Sequence, residues 1–445
     1  MSGGTLASNP LDAWTAAVIG LPESPLTRCN LDAWQWRRLR ETVAWAQQQS
    51  PFYRRHLHGI NASGLTGPGD LRCLPLMTAD DLRRNDPPLL CISQSEISRI
   101  VTLETSGTSG FPKRLFFTSE DQEATLDFFD HGMRLLTRAG DRVLIFFPGE
   151  RPGSVGDLLA RAVARLGATP IPFGWPHDLA AAVEAVRCEE PDVIAGVPVP
   201  LLAVARMDAA SRRHSRHVRS VLLSADHAAG SLRRSLAALW ECEVFEHYGM
   251  TEMGLGGGVD CAAHAGYHVR ESELLVEVVD PLTGESVAPG EEGEVVVTTL
   301  VRRGMPLIRY RTGDVSRLLP GTCDCGSPLL RLDRIARRVS GGISLGDAGE
   351  LTIGMLDEAL FAIGDIVDFD AAFQPGISPV LKLLVSCTDG RTENARMVEA
   401  VSAALEEVPV IAAASRSAGL RLQVAFSPCG LLLRSGKRTI REDVA

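Results

Sequence analysis

The chain has 445 residues, a formal charge of −10 and an isoelectric point near 5.6, a balance that argues against nucleic acid or an anionic membrane as partner, because both demand a basic face. Hydrophobic residues make up 45 %, enough for the two or three folding units that a length prior of about 150 residues per domain suggests. No apolar run reaches spanning length, and the opening "MSGGTLASNPLDAW" lacks the charged head and apolar centre of a signal peptide, so a cytoplasmic protein is expected.

The first stretch that asks for an explanation is "ETSGTSGFPKR", residues 104–114, where glycines, serines and threonines precede Lys113 and Arg114. Glycines let backbone N–H groups approach phosphate oxygens while hydroxyls and a lysine add donors and charge. The spacing is not that of a Walker loop, and a loop of this kind standing alone reads as a surface turn. The next segment, "TSEDQEATLDFFDHGMRLLTRAG", predicts a helix opening with Ser119 three positions ahead of Gln122 and closing at Gly140.

From "DRVLIFFP" onward, apolar runs starting near 142, 169, 192, 219 and 243 alternate with helix-period segments, the rhythm of βα units and a mostly parallel sheet. "ELLVEVVDPLTGESVAPGEEGEVVVTTL" then predicts two strands around a turn, a β element appended to that sheet. From about residue 343 the pattern changes to a helix, two strands, a second helix over "ENARMVEAVSAALEEV" and a strand, "LRLQVAF". The predicted fold is α/β: a large N-terminal domain over 1–338 with mostly parallel sheets flanked by helices, and a small α+β domain over 339–445, joined by "VSGGISLGDAG" as linker.

Three further stretches join the opening loop: "HYGMTEMG" (247–254), "RYRTGDVSRLL" (309–319) and "LLLRSGKRTIRED" near the C-terminus. In order and approximate spacing the four resemble the motifs of the adenylate-forming superfamily of acyl-CoA synthetases. The branch most similar is the phenylacetate-CoA ligase group, on "SPFYRRHL", "GMPLIRYRTGD" and the following "CDCG". The resemblance runs from about residue 25 to 443. Ordered motifs are specific where any single one is not.

Activating a carboxylate on ATP brings two anions together, so such a site must neutralise charge and fix an in-line geometry. The resemblance implies that Thr105, Ser106, Gly107, Thr108, Ser109 and Gly110, with Lys113, cradle the β- and γ-phosphates. It further implies that Tyr248, beside Gly249, flanks the adenine, that Thr251 bonds the α-phosphate, and that Glu252 holds a magnesium ion. Out of context Tyr248 reads as a core aromatic and Glu252 as a solvated carboxylate at a helix start. Asp314 is given the ribose hydroxyls, with a turn aspartate as its plainer reading. Arg334 resembles the arginine that reaches the nucleotide, but Arg337 and Arg338 stand where relatives carry acidic hinge residues, which leaves the hinge open. Asp226 in "SADHA" replaces a glutamate beside the adenine. Lys437, following Gly436, matches the lysine that relatives bring in for adenylation only, after which the small domain turns about residues 338–342.

Ten cysteines scattered along the chain do not form a secreted disulfide scaffold and are expected to be reduced. Cys261, Cys323 and Cys325 with His268 make a soft four-ligand set suited to structural zinc. His268 matches the branch better than His264, the alternative, and reduced buried thiols are the plain reading.

The implied activity is an ATP-dependent carboxylic acid–CoA ligase that forms an acyl or aryl adenylate, releases pyrophosphate, and then makes a thioester with release of AMP. ATP, magnesium and CoA are the implied cofactor and co-substrates, and a small-molecule carboxylic acid the partner. A separate carrier protein is left open as acceptor, because no carrier domain follows the catalytic motifs, and a homodimer is left open as assembly. The alternatives are an adenylyl transferase that stops at the AMP adduct, a ligase with a non-CoA acceptor, and a nucleotide-binding homologue without catalysis. Phe147, Gly149, His247 and Gly254 are the predicted acid-pocket residues, and Gly256, Gly257 and Gly258 beside an aromatic suggest an elongated space for an aryl or arylacetic acid.

Overall fold

The five apolar runs form the strands Arg142–Phe146, Thr169–Pro172, Val193–Gly196, Ser220–Leu223 and Glu243–Tyr248 in the computed structural model, which describes residues 9–86, 88–103, 112–210, 218–388, 395–427 and 437–443. They pair in parallel, with the Arg142 strand between the Thr169 and Val193 strands, and the Ser220 and Glu243 strands following in turn. Helices Val155–Leu166, Leu179–Glu189, Pro198–Ala210 and Gly230–Trp240 connect them. The strands read as unbroken apolar runs because both faces are covered: Val143, Leu144, Ile145 and Phe146 have no exposed surface.

The chain packs as two compact units. One contains Leu136–Glu246 and the residues from Ala336 onward. In its C-terminal part, the antiparallel strands Ile366–Gln374 and Val380–Cys387 are flanked in parallel by Ile440–Glu442 and Arg421–Phe426. Leu201, Leu202 and Val204 share one apolar core with Leu360, Phe361 and Ile366. The buried Arg206 guanidinium is satisfied there by main-chain oxygens, Phe361 at 2.6 Å and Ile366.

The predicted helix is observed as Ala395–Glu406, and a helix that the sequence reading did not name, Pro409–Ala418, follows it, with Pro409 at a first helical position. The predicted linker is folded, with Gly342–Ser344 paired antiparallel to Glu350–Thr352. Leu345 and Leu351 are buried there, and Gly346 and Gly349 take the positive φ values that the connecting turn requires.

The other unit contains the chain up to Leu135 and His247–Ile335. Strands Leu274–Val279, Gly293–Thr299 and Tyr310–Ser316 form an antiparallel meander of their own instead of extending the parallel sheet. The long helix Arg28–Gln49 is stitched to it by the Gln35 amide, which donates to Glu271 O at 3.0 Å and Leu274 O at 2.9 Å. Tyr248, the last residue of its strand, pairs with Gly258. The short strands Gly258–Val259, Tyr267–Val269, Arg331–Leu332 and Leu318–Leu319 then follow as antiparallel neighbours.

Arg99–Leu103 and Lys113–Phe117 form an antiparallel hairpin in which Leu103 faces Lys113. The helix after it spans Ser119–Met133, shorter than predicted, and its cap lies one residue earlier than predicted. Thr118 is the N-cap, and the carboxylate of Asp121 returns a bond to the Thr118 N–H at 2.9 Å, an ionised acceptor where the sequence reading had the Gln122 amide. Among the described residues, no helix is long and apolar enough to cross a membrane.

Candidate active site

Lys113 stands at the start of the second hairpin strand, next to the glycine-rich stretch. Thr105, Ser106, Gly107, Thr108, Ser109 and Gly110 lie outside the described residues, as does Gly436. The Lys113 ammonium makes an ion pair with Glu252 Oε1. Glu252 belongs to the short helix Thr251–Met253 that follows the Tyr248 strand, and only 2 % of it is exposed. A carboxylate that deep needs partners. Besides Lys113, the Tyr310 hydroxyl donates to Oε1 at 3.3 Å, and Arg302 Nη1 donates to the Glu252 carbonyl at 2.5 Å.

Four residues back along the chain from Glu252, the Tyr248 hydroxyl donates to Asp314 Oδ2 at 3.1 Å, and its ring stacks on Tyr267 at 5.9 Å. Asp314 is buried on the Tyr310–Ser316 strand, its own N–H donating to Thr312 Oγ1 at 3.1 Å. The sharp exit after Tyr248 is what requires Gly249: a Cβ there would overlap the Leu255 carbonyl oxygen. Lys113 with Glu252, and Tyr248 with Asp314, are therefore two bonded pairs of candidate side chains. Tyr310, Arg302 and Asp260 were absent from the sequence reading. Tyr310 sits inside the quoted "RYRTGD", where its place four residues before Asp314 was the available signal.

The predicted pocket residues fall into two groups. His247 lies against the rings of Phe128 at 6.0 Å and Phe129 at 5.9 Å. Burial, helped by the Arg270 charge, lowers its pKa to about 4, so it is a neutral imidazole at pH 7. Gly254 takes a left-handed conformation, and its carbonyl accepts the Thr125 hydroxyl at 2.9 Å. The space a side chain would occupy at Gly256 is filled by the Phe128 ring, at Gly257 by the Met253 sulfur, and at Gly258 by the His268 carbonyl. These glycines permit close packing. In the other unit, Phe147 is buried just past the Arg142 strand, with Gly149 two residues on.

Asp226 also lies in that other unit. Its Oδ1 accepts the His227 N–H at 2.9 Å and its Oδ2 the Arg438 N–H at 3.4 Å. Burial raises its pKa, partly offset by those bonds and by the charges of Arg438 and Lys437. Lys437 is exposed, whereas Arg438 is clasped by Asp357 at 3.0 Å and by Asp368, and its guanidinium lies 4.4 Å from the Phe369 ring centre.

Cys261, His268, Cys323 and Cys325 converge, all buried, with their ligand atoms within 4.8 Å of one another. Cys261 Sγ lies 3.6 Å from Cys323 Sγ, and Cys325 Sγ lies 3.3 Å from His268 Nε2. The structure brings His268 to the cysteines, while His264 turns to Asp260 at 2.9 Å. Three thiols and one imidazole in so small a volume fit a tetrahedral zinc site. Burial pushes the Cys261 and Cys325 thiols up, a penalty that a coordinated dication reverses by stabilising the thiolates.

Residues 99–300 match the family of AMP-binding enzymes. The chain is 30% identical over 328 residues to the phenylacetate-coenzyme A ligase of Pseudomonas putida, covering 71% of this chain and 72% of that protein. It is likewise 30% identical to the phenylacetate-coenzyme A ligase of Thermus thermophilus over 70% of this chain and 71% of that one. Among solved structures, 2-hydroxyisobutyryl-CoA ligase in the postadenylation state superposes with a TM-score of 0.79 at 20% identity, covering 94% of this chain and 90% of that one, a likeness of fold. With its hairpin lysine, buried glutamate and tyrosine–aspartate pair set on this α/β fold, the chain belongs to the phenylacetate-coenzyme A ligase family of AMP-binding enzymes.

Proposed function

We infer that the chain is an ATP-dependent, AMP-forming acid–CoA ligase acting on an aryl or arylacetic acid. The acid carboxylate attacks the α-phosphorus of ATP and pyrophosphate leaves. The CoA thiol then displaces AMP from the acyl adenylate to give the thioester. The observation that carries this reading is the meeting of Lys113 and Glu252, contributed by the hairpin after the glycine-rich stretch and by the turn after Tyr248. A cation beside a buried carboxylate that also accepts a tyrosine hydroxyl supplies the parts that a nucleotide–metal site needs.

Lys113 neutralises Glu252. Nucleotide entry would redirect the ammonium to the β- and γ-phosphate oxygens, which Thr105, Ser106, Gly107, Thr108, Ser109 and Gly110 would cradle, and leave Glu252, oriented by Tyr310, to hold magnesium. A magnesium ion held there would supply neutralisation of the β- and γ-phosphate charge. Tyr248 packs against the base, Asp314 accepts from the ribose hydroxyls, Thr251 bonds the α-phosphate, and Arg334 reaches the nucleotide. His247, neutral and packed on Phe128 and Phe129, supports with Gly254 an apolar wall for the acid, and Phe147 and Gly149 are the candidates from the other unit. Lys437 serves adenylation from a small domain, 339–445, that alternates against a large one, 1–338, and Asp226 serves the adenine side. Zinc held by Cys261, His268, Cys323 and Cys325 ties the Tyr267 strand to the loop before Arg331, and metal analysis is expected to find about one ion per chain. A cytoplasmic location belongs to the same proposal.

The test is AMP release from ATP with phenylacetate and a panel of other carboxylic acids, with and without CoA. The expected result is CoA-dependent AMP release, fastest with aryl or arylacetic acids. An AMP adduct that accumulates irrespective of CoA would show an adenylyl transferase. Pyrophosphate exchange at background with every acid would show a binding protein.

A further inference from the structure

Between the cysteine–histidine cluster and Arg334 lies a group of side chains that the proposed reaction does not yet use. Asp260, only 1 % exposed, precedes Cys261. Its Oδ1 accepts the Cys261 N–H at 3.0 Å. Its Oδ2 accepts the His264 Nδ1–H at 2.9 Å and faces Arg334 Nη2 at 3.5 Å. The His264 carbonyl accepts from both ends of the same guanidinium, Nη1 at 3.4 Å and Nη2 at 3.3 Å. His264 reaches this position at a φ of 49°, in the left-handed region that a histidine seldom takes. Its side chain is bonded to Asp260, its N–H to Cys261 O at 2.8 Å, and its carbonyl to Arg334. Local strain of this kind persists only where the surroundings over-determine it.

We propose that Asp260 and His264 are positioning residues that set the Arg334 guanidinium for the nucleotide. The inference rests on the reading that Arg334 faces the nucleotide. A buried carboxylate supplies the charge-assisted partner, and a strained carbonyl fixes the plane of the fork. The loop carrying both runs between the strands Gly258–Val259 and Tyr267–Val269, which pair with each other, so the clamp has a rigid base. This also gives His264, which the cysteines leave aside, a function of its own.

The test compares Asp260→Asn, His264→Asn and Arg334→Ala, and the double variant Asp260→Asn/Arg334→Ala, in the full chain. Asparagine tolerates the left-handed backbone at 264, so His264→Asn carries the test should Asp260→Asn not fold. The readouts are equilibrium binding of a non-hydrolysable ATP analogue, KM for ATP against KM for the acid, and metal content. Each single variant is expected to weaken nucleotide binding and raise KM for ATP by about tenfold, the scale of one charge-assisted hydrogen bond, while KM for the acid and metal content stay unchanged. In the Arg334→Ala background, Asp260→Asn should add nothing, because the two act as one unit. Full additivity, or equal loss of acid and nucleotide affinity, overturns the clamp. Arg334→Ala binding nucleotide normally overturns the underlying role of Arg334, whereas a weakened Arg334→Ala beside normal Asp260→Asn and His264→Asn overturns the clamp alone.

Discussion

The Tyr310 hydroxyl donates to Glu252 Oε1 at 3.3 Å, the oxygen that also takes the Lys113 ammonium. Tyr248 and Asp314, four residues from Glu252 and Tyr310 in turn, repeat the arrangement at 3.1 Å. Tyr310→Phe is expected to keep the fold and cost about 0.5–1.5 kcal/mol, the net value of one hydrogen bond, with KM for ATP raised several-fold. Denaturant unfolding and initial rates check it, and an unchanged KM would separate Tyr310 from the nucleotide.

Glu252→Gln keeps the shape of the side chain while removing its charge. An amide oxygen is a poorer magnesium ligand than a carboxylate, and Lys113 loses its counter-ion. Adenylation at limiting magnesium is expected to fall by about 100-fold or more, in the range seen for loss of one preorganised electrostatic group. Turnover equal to wild type at low magnesium would refute the assignment.

Asp314→Ala should raise KM for ATP more than KM for the acid, since only the nucleotide loses its ribose acceptor. The Tyr248 hydroxyl also loses its bond to Asp314 at 3.1 Å, so a stability loss of about 0.5–1.5 kcal/mol, the net value of one hydrogen bond, is expected. Isothermal titration with ATP and with acid separately reads the split, and equal weakening of both would count against the ribose role.

The pKa of His247 is lowered to about 4 in the folded chain from an ordinary value of 6.5. The unfolded chain therefore binds a proton between these values that the folded chain does not. The contribution to stability is present in full above pH 6.5 and is lost as the pH falls toward 4, at up to about 1.4 kcal/mol per pH unit for one proton. Urea midpoints at pH 7 and pH 5 should show the fall, with His247→Gln flattening it. An equal slope in the variant would assign the loss to other groups.

Lys437 is exposed, while its neighbour Arg438 is locked between Asp357 and Asp368. Lys437→Ala should therefore leave the surrounding packing intact. Adenylate formation is expected to fall by about 100- to 1000-fold, while a supplied acyl adenylate and CoA give thioester at close to the wild-type rate. Equal loss in both half-reactions would make the lysine common to both steps.

The βα rhythm from residue 142 to 248 was legible in the sequence because parallel strands buried on both faces must be written as continuous apolar runs. The family was legible because four motifs stand in the order and spacing of the relatives they resemble, and that resemblance named the candidate site residues. What the sequence could not state was which of these residues touch. The Lys113–Glu252 pair spans 139 positions and the Tyr310–Glu252 bond spans 58, distances along the chain that carry no local periodicity. His268 was preferred over His264 on resemblance alone, and it is the pairing of Tyr267–Val269 with Arg331–Leu332 that physically sets it opposite Arg331 and near the Cys323–Cys325 loop. Likewise Gly256, Gly257 and Gly258 suggested open space by composition, and only the packing of Phe128, Met253 and the His268 carbonyl showed that space to be filled. Local pattern determines elements, because propensity and burial act on neighbouring residues. Partners in a site are decided by strand order and register, which tertiary packing alone settles.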